Sequence, residues 1–475
     1  MRCHRAGLVL AVFASLTACS NPAGEETALL GGSGVTAIVT DQGEGVFEVH
    51  YSFAEPQSVM IFPRSETAYR AESWLALDDG AQIERLNGLD ALVFDAPVRE
   101  ARFQITARPE LRYDGYAHFV RFADGSLVLF TGQFELMPAA SREAVLALDG
   151  DLSAFDGEQP VLGVKLRSDQ PMIAHGERFS GDVTDISQGG GSFVYIGEGE
   201  IETRENFVGL IDPATPDWLQ TRFRDDLDML FSELEAGWGY GMPEPATLLF
   251  AFEGTDNPGF SSKGGALGRQ LMIQASGQDL AEDNDFLHAY LLWFFAHESV
   301  HLFQYVTGPT VGDQQDSWIH EGSANAMANR IMAGQGEAAA TYLRWARRNA
   351  FNTCSASLEA GPLAEAWQRG EGDAYYACGE FIGVMTDAAL PEETLFDFWN
   401  AMLARAGDGD ISDETYFATA RALGMPEAQV SRLEALVRDT LANPREELRN
   451  ALADFGLDPQ FDADDNLSGL TYPDP

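Results

Sequence analysis

Residues 285–309 read Asp285-Phe-Leu-His-Ala-Tyr-Leu-Leu-Trp-Phe-Phe-Ala-His297-Glu298-Ser-Val-His301-Leu-Phe-Gln-Tyr-Val-Thr-Gly-Pro309, and Trp318-Ile-His-Glu321-Gly-Ser-Ala-Asn325 follows soon after. Apolar residues run through the first segment and Gly308-Pro309 stops it, which predicts a helix. On a helix His297 and His301 stand four apart, so both imidazoles project from one face and can hold two corners of a tetrahedral metal. Glu298 is offset by about 100° and can flank the metal without filling a coordination position. Glu321 comes 20 residues after His301, in a second helical pattern beginning near Trp318, and is the candidate third ligand. Two His and one carboxylate leave a fourth position for water, as a catalytic zinc site requires. The alternative is accident on a buried helix. With eight His in the chain, its chance is on the order of one per cent. The Trp-x-x-Glu-Gly at a suitable distance lowers it further.

His297-Glu298-x-x-His301 followed by Trp318-x-x-Glu321-Gly322 resembles the gluzincin metallopeptidases, and the Trp-x-x-Glu-Gly form resembles their aminopeptidase N and glycyl aminopeptidase branches. The 19 residues between His301 and Glu321 match the thermolysin-like gap; the aminopeptidase N branch usually has one fewer. The resemblance implies a multidomain α+β protein: an N-terminal all-β domain, a thermolysin-like catalytic domain and C-terminal helices. It also implies one zinc ion and a peptide or protein substrate. Ala374-Tyr375-Tyr376-Ala377-Cys378-Gly379 resembles the Tyr-x-x-Gly segment of aminopeptidase N relatives. By that resemblance Tyr376 donates a hydrogen bond to the tetrahedral intermediate, with Tyr375 or plain packing as the alternatives. Thermolysin-like enzymes place an Asp four residues past the ligand Glu, as a partner for a metal-bound His. Here Asn325 stands there, and a capping or exposed Asn is the competing reading. Where aminopeptidase N relatives carry Gly-x-Met-Glu-Asn, with a Glu that holds the substrate amine, this chain has Gly265-Ala-Leu-Gly268-Arg269. The amine anchor is therefore absent. Arg269 could attract a substrate carboxylate or simply face solvent.

A chain of 475 residues with 30 Lys plus Arg against 74 Asp plus Glu, net charge −44, offers no basic footprint for nucleic acid. So much acid is ordinarily a solvated surface. With 45% hydrophobic residues the chain can bury a large core. Two Arg precede a short apolar run, Ala6 to Leu16, and then Leu16-Thr-Ala-Cys19-Ser20, which resembles a bacterial lipobox. That resemblance implies an exported protein with Cys19 lipidated, anchored in the bacterial cell envelope and facing periplasm or cell surface. Ser20 rather than Asp after the Cys favours the outer membrane. An ordinary cleaved signal with a chance Cys is the alternative. Of the four Cys, Cys354 and Cys378 then remain, and an even pair in an exported protein reads as a disulfide, or else as two thiols.

In order, residues 1–18 read as signal peptide and 19–34 as a flexible tether. Residues 35–205 form a β-rich domain, 206–400 the catalytic domain, and 401–475 a helical region with an acidic tail read as loop from 456. Within them, Trp218 to Ala236 carries an apolar stripe, Ala246–Phe252 reads as a buried strand, and Leu271–Ala275 as a second strand between glycine-rich turns. The expected chemistry is peptide hydrolysis by a zinc-activated water with Glu298 as general base. The competing class is a catalytically reduced lipoprotein that keeps the fold as a peptide-binding or interaction module. The lost amine anchor and Asn325 lean toward the latter; the complete ligand set with Glu298 leans against it.

Overall fold

The computed structural model describes residues 29–471 apart from 66, 68, 110–115, 188–189, 307, 391 and 408. The signal segment, Cys19 and the tether up to residue 28 lie outside the described residues. Residues 30–34 are already held: Gly34 donates its N–H to the Val161 carbonyl at 2.9 Å, and the Leu30 N–H bonds the Thr36 hydroxyl. No helix among the described residues is long and apolar enough to cross a membrane.

The N-terminal part is a β-rich domain around one large sheet. Its long strands, Val46–Ile61 and Leu89–Thr106, pair antiparallel, and Val35–Gly43 joins Val46–Ile61 to Leu162–Ala174. Alternation puts Val49, Tyr51, Phe103 and Ile105 inward on neighbouring strands, a two-residue period that buries one face.

The middle domain holds a five-stranded sheet in the order Glu202–Thr203, Phe207–Ile211, Ala246–Phe252, Gln270–Ser276, Ser261–Leu267. Ala246–Phe252 is apolar at nearly every position because both faces are covered. On one face lies the helix Asp217–Trp238, with Leu219, Phe223, Leu227, Leu230 and Leu234 all buried. The ring of Phe223 sits 5.1 Å from Phe250 and 4.9 Å from Phe295. The other face, through Leu249, Ala251 and Met272, packs on Phe130, Phe193 and Tyr195 of the β-rich domain. The Gln270 amide pins this interface, accepting from the Phe193 N–H at 2.6 Å and donating to its carbonyl at 2.8 Å.

Two expectations are corrected. Gly264-Gly265 is not a turn: Ser261–Leu267 is a strand, antiparallel to Gln270–Ser276, and it forms the edge of the sheet. Its glycines serve close approach, since a Cβ at Gly264 would run into the Met272 carbonyl and lie 2.9 Å from Ile273 Cα. The tail is not all loop either. Asp458–Phe461 and Leu467–Thr471 form a hairpin, turned by an Asp462 carboxylate that accepts from the Asn466 and Asp464 N–H groups. Phe461 packs 5.3 Å from Phe351. Acidic residues crowd the turn and masked the short alternation.

Three helices build the site: the histidine helix Asp285–Val306, the glutamate helix Ser317–Met332 and the tyrosine helix Asp373–Ala389. The C-terminal helices Leu395–Ala406, Asp413–Ala422, Glu427–Arg438 and Pro444–Asp454 buttress them.

Candidate metal centre and active site

His297 and His301, one turn apart, bring their Nε2 atoms within 3.1 Å of each other. Glu321 Oε2 lies 3.3 Å from the first and 3.2 Å from the second. A tetrahedral zinc with bonds of about 2.0–2.1 Å needs ligand atoms roughly 3.3–3.4 Å apart. The three donors therefore stand at nearly the separation the ion would impose, and the donor set of two imidazoles and one carboxylate suits zinc. Among the described residues this is the one group of three such donors close enough to hold a metal.

The charges explain why the cluster coheres. Burial alone would lower the pKa of His301, but the Glu321 carboxylate and its hydrogen bond outweigh it and raise it to about 9. Burial pushes Glu321 the other way from its histidines, and the histidines win, holding it well below the usual carboxylate range. Glu298 is pushed up by burial, opposed by both histidines and by a hydrogen bond from the Ala266 N–H of the edge strand.

The outer partners are uneven. His301 Nδ1 donates to Gln304 Oε1 at 2.7 Å, and the Gln304 amide reaches the His320 carbonyl at 3.3 Å. This fixes the tautomer that leaves Nε2 for a metal. Sequence reading missed Gln304, although a polar residue three past a ligand His on one helix face was the available signal. Asn325 donates from Nδ2 to the Tyr376 carbonyl at 3.3 Å. Its Oδ1 and the Nδ1 of His297 are both buried without a hydrogen-bond partner.

Why the glutamate and the tyrosine meet is a matter of two glycines. Gly322 follows Glu321, and Gly379 lies three past Tyr376; their helices cross backbone on backbone at this pair. A Cβ at Gly322 would fall within the Gly379 backbone, and one at Gly379 would lie 2.8 Å from Gly322 Cα. Only glycine allows that approach. Ala326 and Gly383 continue the contact one turn on. Tyr376 consequently faces the cavity, its ring 5.9 Å from that of His297. Tyr375 turns away, its hydroxyl accepting from the Trp367 N–H at 3.2 Å and contacting the Ala364 carbonyl at 3.4 Å. Burial, then the Glu321 and Glu298 carboxylates, raise the Tyr376 pKa and keep the phenol protonated. A disulfide joins Cys354 to Cys378, tying the start of the tyrosine helix to the helix Gly336–Ala360.

The cavity is about 380 Å³ and lies between the histidine helix, the edge strand and the β-rich domain. His297, Glu298, His301, Glu321 and Tyr376 line one side. Opposite them are Arg64, Tyr116 and Lys263, which sequence reading passed over because Arg64 and Tyr116 come from another domain. The Tyr116 hydroxyl donates to the Ala266 carbonyl at 2.5 Å. Arg269 does not reach the cavity; it pairs with Glu244.

Comparison with solved structures finds this fold in other proteins. An aminopeptidase N family protein from Idiomarina loihiensis matches with a TM-score of 0.60 at 14% identity, over 91% of this chain and 80% of its own. An M1 zinc metallopeptidase from Deinococcus radiodurans, bound to a Tyr-Ser-Ala substrate, matches at 0.50 with 14% identity over 86% and 93%. Yeast leukotriene A4 hydrolase matches at 0.50 with 12% identity over 88% and 69%. No protein-family model and no curated protein matches the chain. The chain has a gluzincin aminopeptidase-like fold.

Proposed function

We propose that this protein is a zinc-dependent peptidase that hydrolyses peptide bonds in the cavity beside the edge strand. The observation that carries the reading is the convergence of His297, His301 and Glu321 on one point at 3.1–3.3 Å, with Glu298 and Tyr376 lining the same cavity. His297, His301 and Glu321 would hold the zinc ion, which when bound would supply the Lewis acidity that makes water a nucleophile near neutral pH. Glu298 takes the water's proton and passes it to the leaving nitrogen. Tyr376, protonated, donates to the oxygen on which negative charge develops. The edge strand offers main-chain groups to the peptide backbone, so binding does not depend on side-chain identity there.

The interaction-module alternative is not favoured, because a disused site has no reason to keep Glu298 and all three donors in register. The test is incubation of zinc-loaded protein with a peptide library, cleavage sites read by mass spectrometry. Internal cuts mark an endopeptidase and end-trimming an exopeptidase; an uncut library overturns the proposal. Glu298→Gln should keep its zinc and lose about 10²–10⁴-fold in turnover, while His301→Ala should lose both. A Glu298→Gln protein as active as the parent rules out this base.

Lipid anchoring through Cys19 in the bacterial envelope belongs to the same proposal. Cys19→Ala should release the protein from the membrane fraction, and failure of labelled lipid to reach Cys19 in the parent removes it.

A further inference from the structure

One residue ahead of Glu321, on the same helix, stands His320. Glu321 turns Oε2 toward His297 and His301. Its other oxygen, Oε1, faces His320, whose Nε2 donates to it at 3.3 Å. The His320 side chain is 16% exposed, and its ring lies 5.8 Å from that of His301. The main chain of the same residue takes part as well. Its carbonyl accepts from Gln304 Nε2 at 3.3 Å, and Gln304 Oε1 accepts from His301 Nδ1 at 2.7 Å. His301 Nε2 and Glu321 Oε2, 3.2 Å apart, close a ring through His301, Gln304, His320 and Glu321.

The ring joins the histidine helix to the glutamate helix at one candidate ligand from each. A carboxylate can offer a metal one oxygen or two. A donor on Oε1 engages that oxygen and leaves Oε2 to face the histidines, and one-oxygen binding keeps a fourth position open for water. Gln304 is fully buried, so its amide has no solvent to fall back on if the ring opens. His297 is held differently: its Nδ1 is buried with no hydrogen-bond partner among the described residues. Outer support is therefore concentrated on His301 and Glu321.

Resting on the reading of these donors as a zinc site, we propose that His320 and Gln304 are positioning residues that act as one clip. His320 holds Glu321 to binding through a single oxygen, and Gln304 ties the His301 ring to the main chain of the glutamate helix. The test compares the parent, His320→Leu, Gln304→Met and the double variant as full-length protein. Zinc affinity is read by competition with a chromophoric chelator, coordination by the visible absorption of cobalt added in place of zinc, and folding by the melting temperature of the metal-free protein. Loss of an outer partner typically costs about 10–100-fold in metal affinity, and each single variant should lose about that much. The double variant should lose far less than the product of the two single losses, because either change opens the same ring. Cobalt absorption should weaken in His320→Leu, as the second Glu321 oxygen enters and the coordination number rises. Metal-free His320→Leu should melt near the parent, so this variant remains informative even if Gln304→Met folds poorly.

Parental zinc affinity in His320→Leu, an unchanged cobalt spectrum, single losses that multiply in the double variant, or a fall in metal-free melting that parallels the loss of affinity overturns the clip. A parent that binds no zinc overturns the zinc reading and the clip with it. Zinc binding that weakens as expected in the variants, in a protein that cleaves no peptide, overturns the hydrolysis and leaves the clip standing.

Discussion

The two sides of the cavity are built differently. The helical side carries His297, His301, Glu298, Glu321 and Tyr376 on three helices locked to one another. The Trp293 indole donates to Asn329 Oδ1 at 2.9 Å, and Asn329 donates to Glu380 at 2.7 Å, a buried polar chain across all three helices. The β side is assembled by docking one domain on another, with Arg64 and Tyr116 reaching the edge strand from the N-terminal sheet. Local helical geometry thus brings the candidate catalytic residues together, and domain placement brings Arg64 and Tyr116 to the same cavity. On the proposed function, lesions on the helical side should stop turnover.

The sharpest way to break the helical side without touching a donor is at the glycine crossing. Gly322→Val forces side-chain atoms into the Gly379 backbone. Overpacking typically costs 1–3 kcal/mol, and displacements of about 1 Å cost on the order of 10²-fold in rate. Turnover should fall by about 10²-fold or more, with a lower melting temperature, while surface variants do neither. A Gly322→Val enzyme with parental rates would mean that the crossing does not position Glu321 and Tyr376.

Tyr376→Phe removes one donor from the same side. Loss of an oxyanion donor typically costs about 10²–10³-fold in turnover. Because Tyr376 is 40% exposed, its melting temperature and zinc content should stay close to the parent's. Unchanged turnover would remove Tyr376 from the mechanism.

The disulfide tests how firmly the tyrosine helix is held. It spans a sequence separation of 24, worth roughly 3 kcal/mol in the chain-entropy model. Replacing Cys354 and Cys378 by Ser should lower stability to denaturant by about that amount and reduce turnover more than zinc affinity. Equal losses in both would mean that the bridge supports the metal helices rather than the tyrosine.

The smallest effect concerns pH. Burial raises the Glu380 pKa to about 7, against the Arg347 charge and the Asn329 bond, which lower it. The folded state thus binds this proton more tightly than the unfolded chain, whose carboxyl titrates near its ordinary value of 4.5. Stability from this group is intact below pH 4.5 and is lost as pH rises through 7, by an amount on the order of 1–3 kcal/mol. Glu380→Gln should therefore melt higher than the parent at pH 8 and lose that advantage at pH 5. A pH-independent difference would show that Glu380 does not titrate in this range.

What the sequence determined by itself was whatever a regular helix can encode. Period 3.6 puts His297 and His301 on one face with Glu298 beside them, and the stripe from Leu219 to Leu234 buries as one line. Motif spacing carried Glu321 and Tyr376 to the same site, though the reason, Gly322 against Gly379, is visible only where the helices cross. The edge strand was hidden because its glycines look like turn residues; their need for space comes from Met272 and Ile273 on the neighbouring strand. Gln304 was within reach of the helical period and was overlooked. Arg64, Tyr116 and Lys263 were not within reach: Arg64 and Lys263 are about 200 residues apart in the chain. No local rule links such positions, and burial of Phe130, Phe193 and Met272 between two sheets is what brings them to one cavity.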